Sequence, residues 1–504
     1  MTPLLVTGRM AENRVKEVAS DHGCKVFVAP VDVAALIKAE ALARQLRKHV
    51  DLLRKVDMIL LPGMILGDVG VVEKATGVKT YRGPRDLVDL DEVLQNLGKI
   101  RLSKTKPADR LLSNRRKTRA LKELREVEAR EYVERMLKKP WNFRVGRVAV
   151  GLDFPARVVA EIVAADSLPD KEVLRQARYY LMEGADIVDI GMNLLNPGRA
   201  EELVSLLKTL GVPVSIDTME KENIEAALRA GVDLVLSFNH ELLQEFRDVH
   251  TPCVVIPEKN GHIPRNPMDR VRLLEENVAL AAERGFSRII PDPLLQPVSL
   301  GFVDSLTAYM EFSRRRRKDP LPMLMGVGNV TELLDADSPG INALLAGAAA
   351  EVGASLLFTT EAGDKTRGSV AELAKAVKIM YLSSRRGSLP KDLGIDLLIL
   401  KEKKIRRDVY DLKGLKEVTA KPIGDGLRMD RKGYFRIFVD DKIRCVHYYG
   451  GKPHISIVGE KADDICDTIY SLDLVEEIGH ALYLGRELVR AEEALVYNKS
   501  YRQS

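Results

Sequence analysis

Short apolar runs alternate with amphipathic stretches along the chain, most regularly between residues 146 and 385. There, eight apolar segments of strand length are each followed by a helical pattern. Apolar residues at nearly every position of a strand indicate burial on both faces, as in a parallel sheet covered by helices. Eight such units predict a (β/α)8 TIM barrel. The predicted strands are RVAVGLDF, DIVDIGM, VPVSIDT, DLVLSFN, PCVVIPE, RIIPDPLL, LPMLMGVGN and ASLLFTTE.

The segment before the barrel, residues 1–100, has the pattern of a small α/β domain. The apolar runs PLLVTG, CKVFVAP and DMILLPG end in glycine or proline and are separated by helical stretches. This alternation predicts parallel strands with crossover helices. No G-x-G-x-x-G or Walker pattern follows Gly8 or Gly63, so a structural or docking role is favoured over nucleotide binding.

The flanking segments differ from the barrel in charge and periodicity. Residues 101–145 predict a basic helical linker, because residues 101–139 contain 14 Lys and Arg against 6 Asp and Glu. That local excess is larger than the net charge of the whole chain, +5, so global basicity does not indicate nucleic-acid binding. Residues 386–504 combine aromatic, β-branched strands in a meander with helices, and predict an α+β domain.

The composition indicates a globular protein of a reducing cytoplasm. No apolar run reaches the roughly 18 residues of a membrane span, and the first ten residues do not resemble a secretory signal. The four cysteines are too far apart to predict a zinc site or a disulfide framework. They are Cys24, Cys253, Cys445 and Cys466.

Polar side chains follow the predicted barrel strands, where the active sites of such barrels lie. Carboxylates and amides dominate among them, and without a His or Cys cluster a transition metal is not expected. A carboxylate accepts paired hydrogen bonds from a ring N–H and its exocyclic amine, and an amide serves ring nitrogens and carbonyls. These strand ends therefore suit a flat heterocycle such as a pterin. The candidates are Asp189, Asn193, Asp217, Asn239, Asp292 and Asn329.

Several motifs resemble the pterin-binding family, which contains dihydropteroate synthases and methyltetrahydrofolate methyltransferases. EGADIVDIGMNLLNPG and VPVSIDTMEKENIEAALRAGVDLV carry the general resemblance. DPLLQPVSLGF and MGVGNVTELLDADSPGIN are closer to the methyltransferase branch. The whole chain is similar to archaeal dihydropteroate-synthase-related proteins, which are linked to tetrahydromethanopterin.

The resemblance assigns roles to individual residues. Asp217 matches the aspartate of the family's IDT motif, Asp292 the pterin-binding aspartate, and Asn329 the asparagine that contacts the reactive ring nitrogen. Asp292 and Asn329 are thus the expected catalytic residues. Asp217 could instead cap a helix, and Asp189 could be structural. Lys365 and Arg367 are candidate anion-binding residues.

The loop after the second strand departs from the synthase pattern. It reads LLNPG where synthases have S-T-R-P-G, and so lacks the Ser, Thr and Arg that help to hold aminobenzoate and pyrophosphate. Leu236 and Ser237 stand where synthases have an Asn-Asp pair, which leaves Asn239 as a substitute. These departures favour methyl transfer over condensation.

The sequence therefore predicts a pterin-dependent transferase of tetrahydromethanopterin or folate-type one-carbon metabolism. The expected reaction is methyl transfer from a methyl-tetrahydropterin, with a corrinoid protein or the tail domain as acceptor. His480 is a candidate corrinoid ligand, against the alternative of a core or surface histidine. Two alternatives stay open: condensation of a pterin diphosphate with an arylamine, which would use Mg²⁺, and a non-catalytic pterin carrier or sensor. No membrane or nucleic-acid partner is expected, and a homodimer is compatible with the sequence.

Overall fold

The computed structural model describes residues 2–34, 37–401, 416–420 and 429–503, without the side chains of 112–115. The chain divides into two compact units. The first comprises Met1–Ala362 and Gly368–Ile399, and the second comprises Gly363–Arg367 and Leu400–Ser504. Among the described residues, no helix has both the length and the apolar character required to cross a membrane.

The chain begins with a parallel sheet of four strands, of which the sequence predicted three. The strands are β1 (Pro3–Thr7), β2 (Lys25–Val28), β3 (Met58–Leu61) and β4 (Thr80–Arg82), in the order β2-β1-β3-β4. β1 and β3 are central and almost completely buried, which explains their continuous apolar runs. The helices are α1 (Glu12–Asp21), α2 (Ala39–Leu46), α3 (Val50–Leu53), α4 (Gly70–Thr76) and α5 (Leu90–Gln95).

The basic linker contains two helices, α6 (Ser113–Glu128) and α7 (Arg130–Met136). It is not simply a solvated helix, because α6 is held by buried ion pairs. Arg116 is buried and pairs with Asp89 and Asp109, both also buried. A buried guanidinium is tolerated only when carboxylates compensate its charge. The pair with Asp89 anchors the linker to the N-terminal domain, whereas Asp109 belongs to the linker itself.

The central domain is a nearly closed barrel of eight parallel strands, which confirms the predicted fold class. The hydrogen-bonded order is β12-β11-β10-β9-β8-β7-β14-β13. The strands are β7 (Arg157–Ile162), β8 (Ile187–Gly191), β9 (Val214–Asp217), β10 (Leu234–Phe238), β11 (Cys253–Val255), β12 (Ile289–Pro291), β13 (Met323–Gly326) and β14 (Ala354–Thr360). The helices are α8 (Asp170–Glu183), α9 (Pro197–Lys208), α10 (Lys221–Arg229), α11 (His240–Glu245), α12 (Pro267–Glu283), α13 (Phe302–Arg315), α14 (Gly328–Thr331), α15 (Ser338–Val352) and α16 (Ser369–Arg386).

The prediction of the first barrel strand was wrong. RVAVGLDF contributes β6 (Val148–Gly151), which pairs antiparallel with β5 (Asn142–Val145) in a hairpin outside the barrel sheet. The first barrel strand is β7, RVVAEI, which pairs with β14 on one side and β8 on the other. The other seven predicted strands are confirmed.

The second unit contains an antiparallel three-stranded sheet and two helices, as predicted for an α+β domain. The strands are β15 (Tyr434–Val439), β16 (Ile443–Tyr449) and β17 (Lys452–Gly459), in sequential order. The helices are α17 (Ala462–Ser471) and α18 (Ile478–Val496). Strand residues such as Phe435, Ile437 and Cys445 pack with Ile465 and Leu488 of the helices in one core.

Candidate functional site

A row of polar residues crosses four neighbouring strands near their carboxyl ends. In the strand register, Thr360 of β14 stands beside Glu161 of β7, Glu161 beside Asp189 of β8, and Asp189 beside Ser215 of β9. Residues paired in a parallel sheet point to the same face. A barrel interior is normally filled by branched apolar side chains, so this row marks a site rather than ordinary packing.

Asp189 is the most deeply buried carboxyl group of the row. Its Oδ1 accepts a hydrogen bond from the Ser215 hydroxyl, while its buried Oδ2 has no hydrogen-bond partner among the described residues. Burial and the nearby charges of Asp217 and Glu161 raise the pKa of Asp189 well above its ordinary value. This shift favours the protonated form of Asp189, whose unpartnered Oδ2 lies inside the barrel.

Asp217 ends β9 one step further toward the mouth of the barrel. Burial and the charge of Asp292 raise its pKa to about 6. It does not cap the following helix: the N-cap position of α10 is Glu220, and Glu220 N–H bonds to the Thr218 hydroxyl instead. The alternative role considered for Asp217, a helix cap, is thus excluded.

Glu161 was not predicted as a site residue, yet it lies among these carboxylates. Burial, then the charges of Asp217 and Glu332, raise its pKa to about 7. Its Oε1 lies against the backbone of Gly191, where an added Cβ would come within 2.3 Å. Glycine at 191 therefore leaves the space into which the Glu161 carboxyl group extends.

Asp292 follows β12 and is held rigidly. It is 5% exposed, and its Oδ1 accepts hydrogen bonds from the Tyr309 hydroxyl and from Leu294 N–H at 2.8 Å. Burial raises its pKa to about 6, although Tyr309, Leu294 and the charge of Arg270 act in the opposite direction. The Arg270 guanidinium donates to the carbonyls of Pro264 and Leu294, so it also orders the loop that carries Asp292.

Asn329 lies in the short helix α14, directly after β13. Its Nδ2 donates to the Leu295 carbonyl at 2.9 Å, in the loop that follows Asp292. This bond orients the amide and connects the loops after β12 and β13. The structure thus brings the segments of Asp292 and Asn329 together, and the charge interactions of Asp292 extend to Asp217.

The remaining amide candidates are less closely integrated. The Asn193 side chain is exposed, and its backbone N–H donates to Asp166 Oδ2 at 3.3 Å. Asn239 caps α11 by accepting from Leu242 N–H at 2.9 Å, and its Nδ2 lies 3.4 Å from Glu258 Oε1. Pterin contacts of these two side chains stay predictions.

The anion-binding candidates and His480 belong to the second unit. Lys365 and Arg367 lie in the segment Gly363–Arg367, and Arg367 Nη1 donates to Asn498 Oδ1 at 3.4 Å. His480 is buried, with Nδ1 3.1 Å from Asp430 Oδ2 and its ring beside Phe435. This environment matches the core-histidine alternative. Anion binding by Lys365 and Arg367 stays a prediction, as does corrinoid ligation by His480.

The raised pKa values predict that the barrel loses stability as pH rises. A group whose pKa is higher in the folded protein stabilises it fully below its ordinary pKa, and this contribution is lost as pH rises through the folded value. For Asp292 the change from 3.8 to about 6 corresponds to about 3 kcal/mol. Asp292→Asn should therefore raise the thermal midpoint of the ligand-free protein more at pH 8 than at pH 5. Equal changes in the thermal midpoint at both pH values, measured by calorimetry, would contradict a pKa of Asp292 that burial raises.

Comparisons with known proteins agree with the sequence motifs. Residues 165–357 match the family model described as pterin binding enzyme, and residues 429–504 match the one described as PterinBD-DUF4346. An uncharacterized protein of Methanocaldococcus jannaschii is 35% identical over 527 residues, covering 100% of this chain and 98% of that protein. The dihydropteroate synthase of Synechocystis is 25% identical over 208 residues, 34% of this chain and 69% of that enzyme.

The comparison with solved structures also finds a dihydropteroate synthase. The dihydropteroate synthase from Xanthomonas albilineans in complex with 7,8-dihydropteroate covers 47% of this chain and 96% of its own, at 21% identity and a TM-score of 0.37. The family assignment depends on the full-length archaeal relative and on the two family models. The chain belongs to the pterin-binding family of proteins related to dihydropteroate synthase.

Proposed function

We propose that the barrel is a pterin-dependent transferase that moves a methyl group from N5 of a methyl-tetrahydropterin to a nucleophilic acceptor. The observation that carries the proposal is the set of carboxyl groups Glu161, Asp189, Asp217 and Asp292, gathered in one interior with raised pKa values. Perturbed groups of this kind are a mark of functional sites. They suit a ligand that offers N–H donors, and pterin binding is the property that the family supports.

Asp217 and Asp292 would hold the pyrimidine edge of the pterin. At neutral pH both are mainly ionised, because their pKa values are about 6. An ionised carboxylate accepts two parallel hydrogen bonds from a ring N–H and its adjacent amine, which fixes both position and orientation. In Asp292, Tyr309 and Leu294 already hold Oδ1 in place, so Oδ2, with its two lone pairs, is the oxygen that would accept from the pterin.

Glu161 would supply the proton that the reaction requires. When the bond between N5 and the methyl carbon breaks, its electron pair stays on N5, and the methyl group passes to the acceptor. N5 is a poor leaving group unless it gains a proton or a strong hydrogen bond. A carboxyl group with a pKa of about 7 is close to the optimum for a general acid at neutral pH. Asn329 would hydrogen-bond the ring near N5.

A corrinoid protein, or the second unit of this chain, is the proposed acceptor. A corrinoid cobalt in its reduced state would supply the nucleophile that takes the methyl group. The residues of the barrel would then bind the pterin, orient it and deliver the proton. Such positioning supplies much of the rate in reactions between two bound partners.

The loop after β8 provides a specific reason to favour methyl transfer over condensation as the reaction. Its residues Leu194 and Leu195 are exposed and apolar, and its next cation, Arg199, is paired with Asp170 at 2.7 Å. Arg199 also donates to the Leu168 carbonyl. A synthase must hold a departing pyrophosphate, and this loop has no arginine in the position that the synthase motif uses.

Three assays on the full-length protein separate the candidate functions. Calorimetry with methyl-tetrahydromethanopterin and methyl-tetrahydrofolate should detect binding, and free cob(I)alamin should become methylated at the expense of the bound pterin. With a hydroxymethyl-pterin diphosphate and 4-aminobenzoate, with Mg²⁺ present, pyrophosphate release should not exceed background. Release above background would establish condensation instead, and tight binding without turnover for any acceptor would establish a carrier or sensor.

A further inference from the structure

The N-terminal sheet has a cavity of its own, separate from the barrel. The strand order β2-β1-β3-β4 means that the chain leaves β1 to one side and returns to β3 on the other. The crevice between the carboxyl ends of two such strands is the common ligand site of open parallel sheets. A cavity of about 230 Å³ lies there, lined by residues that follow all four strands, among them Gly8, Asp32, Pro62 and Gly83.

The loops around this cavity approach one another too closely for larger residues. A Cβ on Gly8, directly after β1, would lie 2.4 Å from the Asp32 carbonyl. Two apolar side chains at the cavity, Met10 and Val33, remain 80% and 42% exposed. Exposed apolar groups beside an apolar cavity indicate a ligand-binding surface, because a bound ligand would remove this apolar area from water.

The polar side chains of the cavity disfavour a ligand with a phosphate group and favour a ligand with hydrogen-bond donors. Asp32 and Asp86 are acidic. Arg85 is the only cation among the described lining residues, and its charge is compensated because Nε donates to Asp109 at 2.7 Å and Nη2 to Asp392 at 3.3 Å. Arg9, next to the lining residue Gly8, is likewise paired, with Nη1 3.7 Å from Asp32 Oδ1. An anionic ligand would therefore meet no uncompensated cation among these residues, whereas amino or ring N–H groups would find acceptors.

The volume limits the size of the ligand. Sites for drug-sized molecules have volumes of about 300–1,000 Å³, so this smaller cavity fits one bicyclic ring and not a dinucleotide. We propose that the N-terminal domain binds a single bicyclic heteroaromatic ring that carries amino or ring N–H groups, without phosphate in the cavity. Purine bases and pterins share this chemistry, and both are tested below.

The test measures the binding of adenine, 6-methylpterin and AMP to the full-length protein by ligand-observed NMR and calorimetry. All titrations are repeated in the Asp292→Ala variant, so that a pterin bound in the barrel is not mistaken for one in this cavity. Adenine or 6-methylpterin should bind this variant, and AMP should bind at least tenfold more weakly than adenine. Binding of adenine alone identifies the purine source, and binding of 6-methylpterin alone identifies the pterin source.

Three further variants, each made in the Asp292→Ala protein, localise the ligand. Ala11→Leu places a larger side chain at the cavity and should weaken binding at least tenfold. Met10→Ser should weaken it about three- to tenfold, since it removes apolar contact. Met182→Ser is the matched control, because Met182 is 79% exposed on α8, and it should change nothing. If Ala11→Leu does not fold, the two methionine variants decide alone.

The proposal is overturned by any of three results. The first is that neither ring binds the Asp292→Ala protein. The second is that AMP binds as tightly as adenine. The third is that the folded Ala11→Leu and Met10→Ser variants bind the ring as tightly as their Asp292→Ala parent. Because these measurements do not involve methyl transfer, they fail or succeed independently of the barrel's proposed reaction.

Discussion

Asp292→Ala should weaken the binding of a methyl-tetrahydropterin by about 10²- to 10⁴-fold. The carboxylate is proposed to accept two charge-assisted hydrogen bonds from the pterin, each worth about 1.5–3 kcal/mol. Asp292→Asn retains one acceptor oxygen and should lose less. Calorimetric titration of the wild type and both variants with the same pterin measures the differences directly.

The fold should survive this substitution, which makes the result interpretable. Without Asp292, the Tyr309 hydroxyl still lies 3.1 Å from the Leu324 carbonyl and can donate there. Removal of a carboxyl group whose pKa is raised by burial also removes an unfavourable buried charge above pH 6. Circular dichroism of the variant should therefore match that of the wild type.

Asn329→Ala and Arg315→Ala complete the comparison. Asn329→Ala should abolish turnover or binding, because its amide is oriented by Leu295 toward the loop of Asp292. Arg315, at the end of α13, pairs with Glu275 and Glu311 on the surface, and its loss should affect neither. Unchanged affinity and turnover in both site variants would remove the proposed pterin site.

The barrel was predictable because its strands are apolar along their whole length and recur at even spacing. The error at the first strand has a local cause. The segment FRVGRVAVG contains two apolar runs separated by Gly146 and Arg147, and Gly146 has a φ of +52° that suits a tight turn. Glycine at the first position of a two-residue loop is a hairpin signal. This signal predicts a hairpin at FRVGRVAVG, which leaves RVVAEI as the first strand of the barrel.

The same error concealed Glu161. The candidate residues lie at the ends of predicted strands, whereas Glu161 lies near the end of β7, which the apolar pattern did not predict. The cavity of the N-terminal domain could not be predicted for a different reason. It has no phosphate-binding motif, and it exists only because four loops pack together at the ends of β1–β4. Periodicity in sequence predicts elements, whereas the space between loops is decided by tertiary packing.

Glu161→Gln should lower the rate of methyl transfer by about 10²- to 10⁴-fold, the usual contribution of a general acid. Pterin affinity should change little, because the amide has nearly the shape of the carboxyl group. The rate should fall because glutamine cannot deliver a proton to N5 as the methyl group leaves. Transfer to free cob(I)alamin at saturating methyl-tetrahydropterin measures this rate.

The pH dependence distinguishes a proton donor from a residue that only fills space. Burial and the charge of Asp217 raise the pKa of Glu161 to about 7, so the carboxyl group is protonated below that pH and ionised above it. At saturating pterin, which keeps Asp217 and Asp292 engaged, the wild-type rate should therefore fall as pH rises through about 7. In Glu161→Gln this fall should disappear from the residual rate.

A second observable does not depend on the acceptor. Infrared difference spectra between pH 6 and pH 8 should contain protonated-carboxyl bands of Glu161, Asp217 and Asp292, and Glu161→Gln should lose the Glu161 contribution and keep the others. Gly191→Ala offers a matched perturbation, since its Cβ would displace the Glu161 carboxyl group without removing it. A Glu161→Gln enzyme that keeps both the wild-type rate and its decline above pH 7 would exclude Glu161 as the acid. Asp189, whose buried Oδ2 has no hydrogen-bond partner among the described residues, would then be the next candidate for the proton donor.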